Sequence, residues 1–240
     1  VGPTIWAHRG ALTAGDGDAA PPVLDGVELG DGEVDGGYVM ASELGCDGSG
    51  SYPQSIGVFA HELGHDLGLV DLYDIDGSTA GVDQWSLMGQ HRGQLPGEPA
   101  GTHPPHLDPF DKWFAGWVTP TVVDAPGPVA LDQVETSGAV VQVGDNPGGV
   151  DIGFLHEDAA VGEYFLLENR EPTGYDAALP GCGLLIWHVD ETAFGNGDES
   201  RRLVDVEEAG EAQNPDGGFA DASDPWPGTG GAMVFDTTST

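Results

Sequence analysis

His61-Glu62-Leu63-Gly64-His65-Asp66-Leu67-Gly68-Leu69-Val70-Asp71 decides how this chain is read. Histidines four residues apart lie about one helical turn apart on the same face, so a helix here aims both imidazoles at one metal ion. Glu62 is rotated from His61 by about a third of a turn, which sets its carboxylate beside the metal as a proton acceptor for water, not as a ligand. Gly68 can adopt the left-handed conformation that ends a helix and turns the chain back. Asp71 then approaches the same metal as a third ligand, with Asp74 as its competitor three residues on; Asp71 is favoured. Three protein ligands and one open position describe a catalytic zinc.

The helix itself is predicted over residues 53–67. Ser51 serves as N-cap, Pro53 stands in the first turn, and Ile56, Phe59, Ala60, Leu63 and Leu67 recur at spacings of three and four. That pattern predicts one face in the core and the other facing the chemistry. Further on, Asp83-Gln84-Trp85-Ser86-Leu87-Met88-Gly89 offers a methionine in a tight turn. Such a turn beneath the zinc marks metzincin-type peptidases, although Met88 also fits an ordinary core methionine.

Several segments resemble the immune inhibitor A family of secreted metallopeptidases. They are Ile5-Trp6-Ala7-His8-Arg9, Ile56-Gly57-Val58-Phe59-Ala60 leading into His61, Asp71-Leu72-Tyr73-Asp74, Trp85-Ser86-Leu87-Met88 and His106-Leu107-Asp108. Gly116-Trp117-Val118, Tyr164-Phe165-Leu166-Leu167-Glu168-Asn169-Arg170 and Gly183-Leu184-Leu185-Ile186-Trp187-His188-Val189-Asp190 continue the likeness through most of the chain. The resemblance implies a secreted, extracellular zinc endopeptidase acting on protein or peptide substrates, with His61 and His65 as ligands and Glu62 as base. Val70 departs from the proline expected of the family, and His91, just after the methionine turn, is a second departure.

Charge narrows the partners. Among 240 residues, 41 are acidic and 6 basic, a formal net charge of −35, and Lys112 is the single lysine. Nucleic acid and anionic membrane surfaces would be repelled. Acids spread along the chain, with lysine nearly absent, read as the solvated surface of a protein from a salt-loving organism. An acidic secreted enzyme rich in calcium sites is the alternative. No apolar run is long enough to span a bilayer, so membrane insertion is not expected. Only about 50 residues precede the active-site helix, fewer than a metzincin-like domain uses. An upstream part of the domain, and a propeptide or further domains, are therefore expected in a longer precursor.

The predicted architecture is α+β: a single metallopeptidase domain over residues 1–240, with the active-site helix and methionine turn in 1–118 and a β-rich part with a loop-rich tail in 119–240. A second helix is predicted over 108–115, with Asp108 as cap and Pro109 opening it. Strands are predicted at 129–131, 139–143, 163–168, 183–189 and 203–206. Residues 208–240 read as loop and tail. Cys46 and Cys182 are the only cysteines, and sequence leaves a bridge between them open.

Acidic loops invite calcium. Asp74 and Asp76, in Asp74-Ile75-Asp76-Gly77-Ser78, are the preferred candidates, ahead of residues 16–18 and 31–35. The oxyanion formed on a scissile carbonyl needs a donor near the metal, and Tyr73, His91, Arg170 and His188 compete for that role. His8 follows a tryptophan as His188 does, and either side chain could reach the cleft. His103, His106 and His156 read as surface or cap residues. The reading that gathers these features is a zinc endopeptidase in which Glu62 is the general base for a metal-activated water. The alternative is a catalytically silent extracellular module that keeps the fold and its metal.

Overall fold

The computed structural model describes residues 7–10, 23–28, 38–47, 50–146, 150, 162–210, 219–231 and 234–235. Ile5, Trp6, His156 and the acidic stretches at 16–18 and 31–35 lie outside them.

Three two-stranded antiparallel ribbons lead to the first helix: β1 (His8–Gly10) with β4 (Tyr38–Met40), β2 (Val23–Leu24) with β3 (Val27–Glu28), and β5 (Leu44–Asp47) with β6 (Gly50–Pro53). Helix α1 spans Ile56–Asp66 and packs against β1 and β4. Its N-cap is Ser55, not Ser51. Ser51 lies in β6 opposite Cys46, and the helix begins only after Pro53 has closed that ribbon. Ser55 Oγ donates to the Ala100 carbonyl at 2.5 Å, tying the helix start to a distant loop instead of capping its own first turn.

The buried face of α1 reverses the expectation. Ile56, Phe59, Leu63 and Leu67 are 50, 43, 55 and 49% exposed, whereas Gly57, Val58, His61, Glu62 and Gly64 are buried. Close backbone approach selects this face. A Cβ built on Gly57 would lie 2.1 Å from the His91 carbonyl oxygen, and one on Gly64 would lie 2.7 Å from Met88 Sδ. Only glycine lets the loop after the methionine turn, and Met88 itself, come so near the helix.

Helix α2 (Pro109–Phe114) forms where predicted, its Asp108 Oδ1 accepting from the Asp111 N–H at 2.9 Å. A five-stranded sheet follows in the order β11-β10-β9-β8-β7, built from β7 (Thr121–Val123), β8 (Val141–Val143), β9 (Glu163–Arg170), β10 (Gly183–Asp190) and β11 (Val204–Val206). Only β7 and β8 run parallel; the other pairs are antiparallel. The strand expected at 129–131 does not form, and short α3 (Val134–Ser137) and β7 were not foreseen. Prolines at 126 and 128 break the ladder before residue 129.

Along β9 the side chains alternate, burying Tyr164, Leu166, Glu168 and Arg170. One core joins both halves of the chain: Leu69, Leu72, Trp85, Met88 and Phe110 pack in the same cluster as Leu166, Leu185, Trp187 and Val204. Part of the expected tail is also packed. Asp224 Oδ2 accepts from Trp85 Nε1 at 2.9 Å, and Trp226 is buried, pairing its backbone with Leu184.

Candidate active site

Helix α1 ends as Gly68 predicts. Gly68 has φ +87°, its N–H reaches the His65 carbonyl at 3.0 Å, and the Leu69 N–H reaches that of Gly64 at 3.0 Å. This paired-bond stop needs a left-handed residue after the cap. It swings the Leu69 carbonyl under His65 and sends Asp71 back toward the helix.

His61 Nδ1 donates to the Leu87 carbonyl at 2.9 Å and His65 Nδ1 to that of Leu69 at 2.8 Å. Each carbonyl can only accept, so both neutral rings keep the lone pair on Nε2. Those two atoms lie 3.1 and 3.3 Å from Asp71 Oδ1. Adjacent ligands of a tetrahedral zinc at about 2.0–2.1 Å stand roughly 3.3 Å apart. Asp71 Oδ1 is a buried oxygen that receives no hydrogen bond while both rings are neutral, and it points into this gap. The donor set, the fixed tautomers and the orphaned oxygen all fit a zinc ion, and His61, His65 and Asp71 are the residues that would hold it.

The turn at 83–89 holds each part of this group. The Leu87 carbonyl orients His61, the Met88 carbonyl accepts from the Leu72 N–H at 3.0 Å next to Asp71, and Met88 Sδ lies against Gly64. Met88 is fully buried. Ser86 Oγ braces the turn, donating to Asp108 Oδ2 at 2.7 Å and accepting from the Met88 N–H at 3.2 Å.

A cleft of about 1150 Å³ opens over the group, with His8, Glu62, Tyr73, His91, Arg92 and Phe219 among its walls. Burial raises the Glu62 carboxyl above its ordinary value even though His61 and His65 pull it down. Tyr73 donates to Asp71 Oδ2 at 3.0 Å, and burial with the Asp71 charge pushes its hydroxyl up to about 12. It therefore stays protonated, a donor throughout the neutral range. His91 is pushed down to about 4 by burial, by His61 and by Arg92, so its ring is neutral 4.9 Å from that of His61.

Other sequence candidates fall elsewhere. His188 pairs with Glu163 at 3.3 Å across the β9–β10 ladder and does not line the cleft. Arg170 is fully buried, bonded to Glu168, Asp176 and the Trp85 carbonyl, and is no donor to a substrate. Asp74 does not join His61 and His65: its carboxylate accepts from the Ser78 hydroxyl and the Thr79 N–H, and those bonds hold it well below the usual carboxylate range. With Asp76 and Glu199 it forms a second acidic cluster, in which one oxygen from each carboxylate lies within 4.8 Å of the other two. Cys46 and Cys182 are both free and exposed. The carbonyls of Leu69 and Leu87 escape sequence reading, because any residue type supplies one.

Residues 3–118, which hold the whole His61-His65-Asp71 group, match the family model described as immune inhibitor A peptidase M6, catalytic domain. These residues are similar to an immune inhibitor A catalytic domain. Over 62 residues the chain is also 45% identical to an immune inhibitor A of Bacillus thuringiensis subsp. alesti, a match covering 25% of this chain and 9% of that relative. The match to a peptidase catalytic domain, together with a two-histidine, one-aspartate group, points to a metallopeptidase. The β9–β11 half lies beyond the matched residues. No helix among the described residues is long and apolar enough to cross a membrane.

Proposed function

We propose that the chain is a metzincin-like, zinc-dependent endopeptidase domain that hydrolyses peptide bonds in extracellular proteins. The observation that carries the reading is the convergence of His61 Nε2 and His65 Nε2 on Asp71 Oδ1, at 3.1 and 3.3 Å, with both remote ring nitrogens tied to carbonyls.

The chemistry that a zinc ion supplies in such a centre is Lewis acidity toward a carbonyl oxygen and toward water. Glu62, buried beside the ligands, takes the proton of the attacking water and returns it to the leaving amine. Its raised pKa makes it a better base than a free carboxylate. Tyr73, protonated through the neutral range, is placed to donate to oxygen that becomes anionic, and neutral His91 is the second candidate. Secretion and a salt-rich setting accord with the charge of −35. Calcium at Asp74 and Asp76, with Glu199, would be a separate stabilising site resting on oxygen-ligand chemistry alone.

The test is metal content and cleavage on protein purified in high salt. About one zinc per chain, lost in Asp71→Ala, and cleavage of an unfolded protein substrate that Glu62→Gln abolishes while keeping the metal, are the expected results. A Glu62→Gln variant with full activity would sink the mechanism. Zinc retained without any turnover in the wild type would leave the silent metal-binding module as the better reading.

A further inference from the structure

We infer that Arg170, on the last inward position of β9, is a positioning residue for the His61 ligand, so that the sheet outside the family-matched segment forms part of the metal centre. The inference rests on the metal-site reading above.

The bonds can be followed atom by atom. Arg170 Nη1 donates to the Trp85 carbonyl at 3.1 Å, gripping the methionine turn two residues before Leu87. Its Nε and Nη2 clamp both oxygens of Asp176, each at 2.9 Å. Asp176 Oδ1 in turn accepts from the His106 N–H at 2.8 Å, and the His106 carbonyl accepts from the Leu87 N–H at 3.2 Å. The Leu87 carbonyl then receives His61 Nδ1 at 2.9 Å. One guanidinium thus fixes the peptide that orients His61 from two sides, through Trp85 directly and through Asp176 and His106.

Chemistry explains why arginine stands there. Trp85, Glu168 and Asp176 need donors in several directions at once, and only a planar guanidinium offers five. Glu168 Oε1 takes Arg170 Nη1 at 2.9 Å while its Oε2 takes Lys112 Nζ at 3.1 Å. Arg170, Glu168 and Asp176 are all essentially inaccessible to water. A buried ionic cluster of this kind is a poor source of stability compared with apolar side chains of equal volume. Fixing the Leu87 carbonyl gives it a purpose, since a group that orients a ligand histidine typically changes metal affinity about 10–100-fold when removed.

The whole 240-residue chain is tested by measuring the zinc dissociation constant by chelator competition, with the ¹⁵N imidazole spectrum of the metal-free protein recorded alongside. Arg170→Lys keeps a positive charge against Glu168 and Asp176 but cannot also reach Trp85. It is expected to bind zinc about 10–100-fold more weakly and to shift the His61 Nδ1 resonance. Leu203→Ala, which opens a cavity in the same core away from these bonds, is the control: it lowers Tm and leaves the affinity of the folded protein unchanged. Should Arg170→Lys not fold, Asp176→Asn loosens the same clamp and is read the same way. Zinc affinity within twofold of wild type and an unmoved His61 resonance in the folded variant would overturn the inference. Failure of the wild type to bind zinc would instead overturn the metal-site reading beneath it.

Discussion

Met88 Sδ occupies the space that a side chain on Gly64 would need: a Cβ there would lie 2.7 Å from the sulfur. Gly64 stands between the two histidines on α1, so the methionine supports the helix at the point from which both imidazoles project. Alanine is worth about 1 kcal/mol over glycine in a helix interior, which taken alone predicts a gain from Gly64→Ala. Overpacking costs about 1–3 kcal/mol, and Met88 is fully buried, with Leu69 Cδ1 only 3.6 Å from the same Cβ. The clash therefore wins. Gly64→Ala is expected to lower the urea midpoint and weaken zinc binding together; an unchanged or higher midpoint would contradict it.

The apolar stripe of α1 supplies a second prediction. Leu63 is 55% exposed, whereas Leu72, next to Asp71, has no exposure. Leu72→Ala should cost about 2–5 kcal/mol, as buried leucines do, and Leu63→Ala within about 0.5 kcal/mol. Equal losses in chemical denaturation would show that Leu63 is covered in solution.

That stripe also marks how far the sequence could be read. The convergence of His61, His65 and Asp71 and the stop at Gly68 were legible because each depends on local geometry: helical spacing, or a left-handed turn that only one residue type takes easily. Ile56, Phe59, Leu63 and Leu67 misled because periodicity tells that a helix has two faces and not which one its neighbours cover. The deciding signal was a pair of small residues, Gly57 and Gly64, whose value appears only when His91 and Met88 arrive from 34 and 24 positions away. The roles of Arg170 and His188 were hidden for a similar reason. Alternation along a strand puts Arg170 inward, yet nothing in its neighbours announces that Trp85 lies above it.

Charge supplies a third prediction. With a net charge of −35 the folded chain repels itself, and the screening length falls from about 10 Å at 0.1 M salt to about 3 Å at 1 M. Tm should rise steadily with KCl over this range in the metal-free protein. A flat or falling profile would mean that the acids are compensated by bound cations, and calcium titration at low salt would then raise Tm instead.

Proton linkage between His65 and Asp71 gives the fourth. Burial alone would lower the His65 pKa, but the hydrogen bond and charge of Asp71 outweigh it and raise it above 6.5. The stabilising contribution of that proton in the metal-free protein is fully present below the unfolded value and is lost as pH climbs through the raised folded one. Asp71 runs the other way: burial opposes, yet bonds from His61 and His65 drive its pKa far below 3.8, so its contribution persists until strongly acid pH. Zinc needs His65 without its proton. Affinity should therefore rise with pH through the His65 transition and then level off, while the metal-free protein loses stability over the same interval. Calorimetry of zinc binding in buffers of different ionisation enthalpy checks this directly: more protons should be released at pH 6 than at pH 9. Equal release at both would mean that His65 is not ionised against Asp71 in the metal-free protein, and that no proton lies in the contact of 3.3 Å between them.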